Sequence, residues 1–381
     1  MTACWFGTYD RGHSANRLLR AALAEAGFVV EELHAPLWEA TRDKDRRYFG
    51  AASLATLGRR WTAAMGGLAR RWRARTGPPP LVVAGFGGQL DVLAAQRICR
   101  PRAALLFAPL VSLTETLVDD RRVFAAHGLR ARAVGLLDRA TLRAADLVLA
   151  DTAAHAAWYA ELGASAARLG VWHFGVEPEF RAAPSPAPEP GRVLFYGRGL
   201  PLHGLGTIVA AAARLGARAS VTCIGTGPER ARAEAQARAL GAAVTWRDEI
   251  PLAELPGELA RASVVLGVFG GSRKAAVVVP NKVYQAAAAG RPLVTRDGPG
   301  LREVLVPDTH CLAVPPDDPV ALAAAVARLL DDRALAERLG AAARAHALAQ
   351  LGPTATATRL GALLAERLGL RPASAALVGA G

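Results

Sequence analysis

At 381 residues the chain exceeds one ordinary core, so two domains of about 150 to 200 residues each are expected. Its 52% apolar and 21% charged content excludes a disordered chain. The formal net charge of +13 points to anionic partners: nucleotide sugars, phospholipid headgroups or nucleic acid.

The amino terminus, MTACWFGTYDRG, lacks the charged, apolar and small-residue order of a secretion signal, and no stretch approaches the roughly 20 apolar residues of a membrane span. Cys4, Cys99, Cys223 and Cys311 lie far apart, with no neighbour at metal-ligand spacing. Buried free thiols, no bound metal and a reducing cytoplasm are the expectation.

A strand at ACWFG, the loop TYDRGHSAN, a helix at RLLRAALAEAG and a strand at FVVEELHAP make a βαβ start. Gly12 and His13 follow the first strand and are placed at a cleft. There His13 either orients a hydroxyl or phosphate or is simply an exposed loop histidine.

The run RRWTAAMGGLARRWRAR, Arg59 to Arg75, interleaves arginines with Trp61 and Trp72. It suits contact with an anionic membrane surface, or equally a solvated arginine face with both tryptophans in the core. Nucleic acid is the third candidate, but no recognisable nucleic-acid module accompanies the run.

Leu81 to Ala84 reads as a buried strand with Gly85, Gly87 and Gly88 after it; LLFAPLVSL and ADLVLADT supply two more. Pro184, Pro186, Pro188 and Pro190 then exclude helix and central strand. This predicts one α/β domain over 1–181, a proline-rich linker over 182–191 and a second α/β domain over 192–352.

The second domain sets out RVLFYGRGLPLHG, VTCIGTGPER, VVLGVFGG and VVVPNKVYQAAAAGRPLVT in turn. Each apolar strand ends in a glycine or polar turn that opens a helix, as parallel sheets do where they bind ligands. Gly197 and Arg198 follow the first strand, and His203 and Gly204 open the next helix. Arginine there pairs with two phosphate oxygens at once, or is merely a surface residue in an ordinary loop. GRGLPLHG lacks the GxGxxG spacing, and no acidic residue ends the next strand, which argues against a nicotinamide cofactor.

Gly225 and Gly227 supply a tight turn, which serves either a nucleotide or the chain alone. Lys282 begins a helix after Pro280 and Asn281, where an ammonium and free amides face an anion. Only three lysines occur in this arginine-rich chain, which favours a function for Lys282 over a solvated position. Asp317 and Asp318 precede Pro319 at another helix start. Two last helical patterns close the sequence, and the one over 353–372 is expected to pack back on the first domain.

In order and spacing, GR…HG, GTGP, PNKVYQ and AAGRPLV resemble the GR…KG loop, GxGP turn, PxKxxE helix and AxGxPV strand of the retaining family-4 (group 1) glycosyltransferases. WHFGVEPEF resembles that family's NGVDxxxF segment, with Glu177 in place of aspartate. The resemblance covers nearly the whole chain and implies the GT-B fold, two Rossmann-like α/β domains facing across a cleft.

It also implies transfer of a sugar from a nucleoside-diphosphate-sugar donor to a glycan, lipid-linked or small-molecule acceptor, with retention and without a metal or other cofactor. By the same resemblance Arg198 and Lys282 hold the diphosphate, and His203 takes the place of a lysine. Gln285 takes the place of the ribose-binding glutamate, Val277 the place of a first glutamate, and the loop of Gly270, Gly271 and Ser272 contacts the sugar. His203 is expected to change charge near neutral pH and make phosphate binding pH-sensitive. A non-catalytic homologue of the same fold and a sugar-nucleotide epimerase are the alternative activities.

Overall fold

A computed structural model of the protein describes residues 1–37, 51–182 and 187–372, with 51–54 given by their backbone alone. Pro184 and Pro186 of the expected linker lie outside the described residues.

The first half runs β1 (Thr2–Gly7), α1 (Ser14–Glu25), β2 (Val29–His34), α2 (Ala51–Arg73), β3 (Leu81–Ala84), α3 (Gln89–Cys99) and β4 (Ala104–Phe107). A π-helical turn at Glu115–Asp120 follows, then α4 (Leu129–Ala144), β5 (Leu147–Ala150), α5 (Ala153–Glu161) and β6 (Leu169–Val171). The second half runs β7 (Arg192–Tyr196), α6 (Leu205–Leu215), β8 (Ser220–Ile224), α7 (Arg230–Leu240), β9 (Val244–Arg247), α8 (Leu255–Arg261) and β10 (Val264–Leu266). It continues through α9 (Arg273–Val277), α10 (Asn281–Ala288), β11 (Leu293–Arg296), α11 (Pro299–Val304) and β12 (Leu312–Val314), and closes with α12 (Pro319–Asp331), α13 (Arg333–Gln350) and α14 (Pro353–Leu368).

Two six-stranded parallel sheets result, ordered β2-β1-β3-β4-β5-β6 and β12-β11-β10-β7-β8-β9. Strands such as LVVA and LVLA are buried along their whole length, because helices cover both faces of each sheet. Chain order reverses between β1 and β3 in one sheet and between β7 and β10 in the other. Ligands of open parallel sheets bind at such reversals, beyond the carboxyl ends of the strands. The short strands β6 and β9 are absent from the sequence reading, since three or four residues carry too little periodicity to be seen.

α14 leaves the second half and packs against α1. There the indole of Trp172 donates to the Thr356 carbonyl at 3.0 Å, and a β-carbon on Gly170 would meet Leu363 at 2.7 Å. All four cysteines are buried and free. No helix among the described residues is long and apolar enough to cross a membrane.

The tryptophans of α2 pack toward the core of the first domain, Trp72 fully and Trp61 in part. Trp72 is buried with Met65 and Leu68 in the core of the first domain, and the Trp61 indole donates to Asp91 at 2.8 Å. Trp61, Met65, Leu68 and Trp72 recur at helical spacing, so one stripe takes them inward while Arg59, Arg60, Arg70 and Arg73 stay exposed.

Candidate active site

The carboxyl end of β7 is built from glycines with positive φ: +138° at Gly197, +23° at Gly199 and +67° at Gly204. The GTGP turn after β8 presses on this loop so closely that side chains have no room. A β-carbon on Gly225 would lie 2.2 Å from the Gly197 carbonyl oxygen, and one on Gly227 would lie 2.5 Å from that of Arg198. Arg198 is held exposed at the tip of the loop.

Beneath the loop lie two buried bases. The His203 ring accepts a hydrogen bond at Nδ1 from the Leu200 amide at 3.2 Å, which puts the proton of the neutral ring on Nε2. Burial, then the positive charges of Lys282 and Lys274, hold its pKa well below the ordinary histidine value. The expected change of charge near neutral pH is therefore corrected: His203 stays a neutral donor there.

Lys282 occupies the first turn of α10, beside the partly exposed Asn281. Its ammonium lies 4.0 Å from the centre of the Phe195 ring, and the side chain is 5% exposed. No described residue hydrogen-bonds to it. Burial lowers its pKa well below the usual lysine value. An unpaired buried ammonium is costly, and an anion bound beside it would offset that cost.

The Gly270–Ser272 loop is braced from below by Arg296, whose guanidinium donates to the carbonyls of Gly270 at 2.9 Å and Ser272 at 3.2 Å. A β-carbon on Gly271 would lie 2.2 Å from the Asp317 carboxylate. The Ser272 hydroxyl caps α9 by accepting from the Ala275 amide at 3.2 Å, so it is committed to the helix. Arg296 escaped the sequence reading, because a strand-end arginine gives no local signal of the carbonyls it will find.

Gln285 has both ends of its amide engaged. Its oxygen accepts from the Tyr196 hydroxyl at 2.9 Å, and its nitrogen donates to Glu177, a buried carboxylate that also accepts from the Ser14 hydroxyl at 2.7 Å. The side chain thus links the second domain to the segment before the linker instead of projecting free toward a ribose. Val277 is buried, and its carbonyl accepts from the Thr152 hydroxyl of the first domain at 2.6 Å.

On the first domain His13 caps α1, its Nδ1 accepting from the Ala15 amide at 3.3 Å, and its ring stacks on Phe86 with centroids 3.9 Å apart. Gly12 is exposed in the same loop. Gly197, His203 and Lys282 therefore converge on one point. A β-carbon placed on Gly197 would lie 3.0 Å from the lysine nitrogen and 3.2 Å from the imidazole.

A separate pocket of about 160 Å³ opens beside Gly204, where Gly206 and Thr207 of α6 face Glu229, Arg232 and Gln236, with Asp317 at its edge. Its lining includes neither Arg198 nor Lys282. Among the described residues no three acidic, histidine or cysteine side chains are grouped to hold a metal ion.

A profile described as "Glycosyl transferases group 1" matches residues 190–332. Among solved structures, sucrose-phosphate synthase from Thermosynechococcus elongatus is similar over 97% of this chain and 99% of its own, with a TM-score of 0.74 and 21% identity. Anabaena HepE in complex with UDP and glucose aligns over 96% of this chain and 99% of its own, with a TM-score of 0.68 and 15% identity. WaaG, a glycosyltransferase involved in lipopolysaccharide biosynthesis, aligns over 95% and 100%, with a TM-score of 0.65 and 16% identity. No curated protein matches at the sequence level. The chain has the GT-B fold of these structures, and residues 190–332 of its second half match the group 1 glycosyl transferases.

Proposed function

We propose that the protein moves a sugar from a nucleoside-diphosphate sugar, bound by the second domain, to an acceptor hydroxyl held against the first. The unpartnered, buried ammonium of Lys282 beneath the Gly197 loop carries this reading. Arg198 at the loop tip, the Nε2 proton of His203 and Lys282 give three donors to a departing diphosphate, and the field of the two buried ones is strong because they are shielded from water. A solved relative in complex with UDP-glucose supports a uridine donor as the first to test.

In this reading the bond from the anomeric carbon to the diphosphate oxygen breaks while the acceptor oxygen bonds to that carbon on the same face. The acceptor proton leaves with the diphosphate, and the positive groups stabilise the charge without a bound metal. The cleft between the domains holds both oxygens against that one face of the reacting carbon.

A second reading has its own observation. With Gln285 satisfied by Tyr196 and Glu177, and Val277 in place of a carboxylate, the chain binds a nucleotide or glycan without turnover. Incubation with UDP-glucose and a panel of acceptors, with products read by mass spectrometry and the anomeric proton coupling, separates the two. A glycosylated product of retained configuration supports transfer, epimerised nucleotide without transfer indicates an epimerase, and nucleotide binding without product supports the second reading.

A further inference from the structure

α9 lies between the Gly270–Ser272 loop and α10, and it packs against the π-helical turn of the first domain. Lys274, 7% exposed, donates from Nζ to the Thr116 hydroxyl at 3.0 Å. Thr116 belongs to the π-helical turn Glu115–Asp120, whose five-residue spacing places both terminal carboxylates in the field of that ammonium.

Behind Lys274 the charges alternate. Glu115 pairs with Nε2 of His155 at 2.8 Å, and Nδ1 of His155 pairs with Asp151 at 2.6 Å, with the ring fully buried. Asp151 then returns to the second domain, accepting from the Val279 amide at 3.4 Å. Both ends of this row therefore land on α9 or its exit.

Further contacts reinforce the same seam. Arg273 lies over the Trp158 ring at 3.9 Å and pairs with Glu161, and Glu303 of α11 accepts from the Ala153 and Ala154 amides at the start of α5. The carboxylates in the field of Lys274, Glu115 and Asp120, both belong to the first domain.

We propose that Lys274 is a positioning residue for the donor sugar: its hydrogen bond to Thr116 of the Glu115–Asp120 turn fixes the Gly270–Ser272 loop against the first domain, a hold supplied from across the cleft. The role in transfer rests on the donor-site reading above, whereas the hold on the domains does not. Lys274 touches no reacting atom in this account; it acts through the loop.

The test uses the full chain with spin labels at Leu136→Cys and Leu240→Cys, both exposed positions, the native cysteines being buried. Without nucleotide, the wild type gives one narrow distance distribution by pulsed electron resonance. Lys274→Met broadens it and Lys274→Arg restores it; Thr116→Val broadens it less and serves if the methionine variant folds poorly. Equal distributions in wild type and both weakened variants, or a broad one in the wild type, overturn the proposal.

A second readout addresses transfer. Lys274→Met leaves UDP affinity within about twofold, because Gly197, His203 and Lys282 are untouched, and lowers kcat by about a hundredfold through misplacement of the sugar. A lost affinity with unchanged kcat assigns Lys274 to nucleotide binding and contradicts the positioning role. If the wild type binds no nucleoside diphosphate, the donor reading fails while the label distances still decide the hold on the domains.

Discussion

The ammonium of Lys282 and the α-carbon of Gly197 meet at the carboxyl end of β7, where a β-carbon on the glycine would lie 3.0 Å from the lysine nitrogen. The glycine serves two needs at once, since its φ of +138° is closed to most side chains and the space above it belongs to Lys282. Gly197→Ala is expected to cost about 1–3 kcal/mol in urea unfolding and to abolish UDP binding by calorimetry.

Removing the charge from Lys282 has the opposite effect on stability. Lys282→Met keeps the length of the side chain and relieves an unpaired buried ammonium, so the nucleotide-free protein gains about 2 kcal/mol while nucleotide affinity is lost. A diphosphate raises the lowered pKa of this group, so binding takes up protons at alkaline pH. Calorimetry of UDP binding at pH 9 in buffers of different ionisation enthalpy measures that uptake, which the variant lacks.

The Gln285 amide nitrogen donates to the buried Glu177 carboxylate, a pairing that requires a neutral side chain at position 285. Gln285→Glu sets two buried carboxylates against each other and is expected to cost about 3 kcal/mol. Adding Glu177→Gln restores most of that loss, and the coupling is read from a double-mutant cycle in urea.

His155 gives a prediction with a pH window. Burial alone lowers its pKa, but Glu115 and Asp151 outweigh it and raise the value to about 10. A base whose folded pKa exceeds its unfolded value near 6.5 contributes stability in full below about 6.5 and loses it as pH rises toward 10. Compared with the wild type, His155→Gln should cost about 3 kcal/mol at pH 6, and the gap should narrow steadily up to pH 10.

The parallel sheets were legible because LVVA, LVLA and RVLFY are apolar runs of strand length ended by turn residues, and such runs are local. The places of Arg198, His203 and Lys282 in the turns and helix starts were legible by their order after those strands. Lys274 was not, because its partner Thr116 lies 158 residues away and no local pattern marks a lysine for a contact at that distance. His155 and Arg296 were hidden for the same reason. The tryptophans of α2 admitted two readings, since helical spacing and interleaving with arginine describe the same residues and only packing decides between them.

The most direct test of the central claim is the thermal midpoint of the wild type, Arg198→Ala and Lys282→Met with UDP, GDP, ADP and TDP. At about a hundred times its Kd a ligand stabilises the native state by roughly 2.7 kcal/mol, enough to raise the midpoint by several degrees. One nucleoside diphosphate should raise the midpoint of the wild type and leave both variants unmoved. A wild type indifferent to all four, or variants that respond as it does, would contradict a donor site beneath the Gly197 loop.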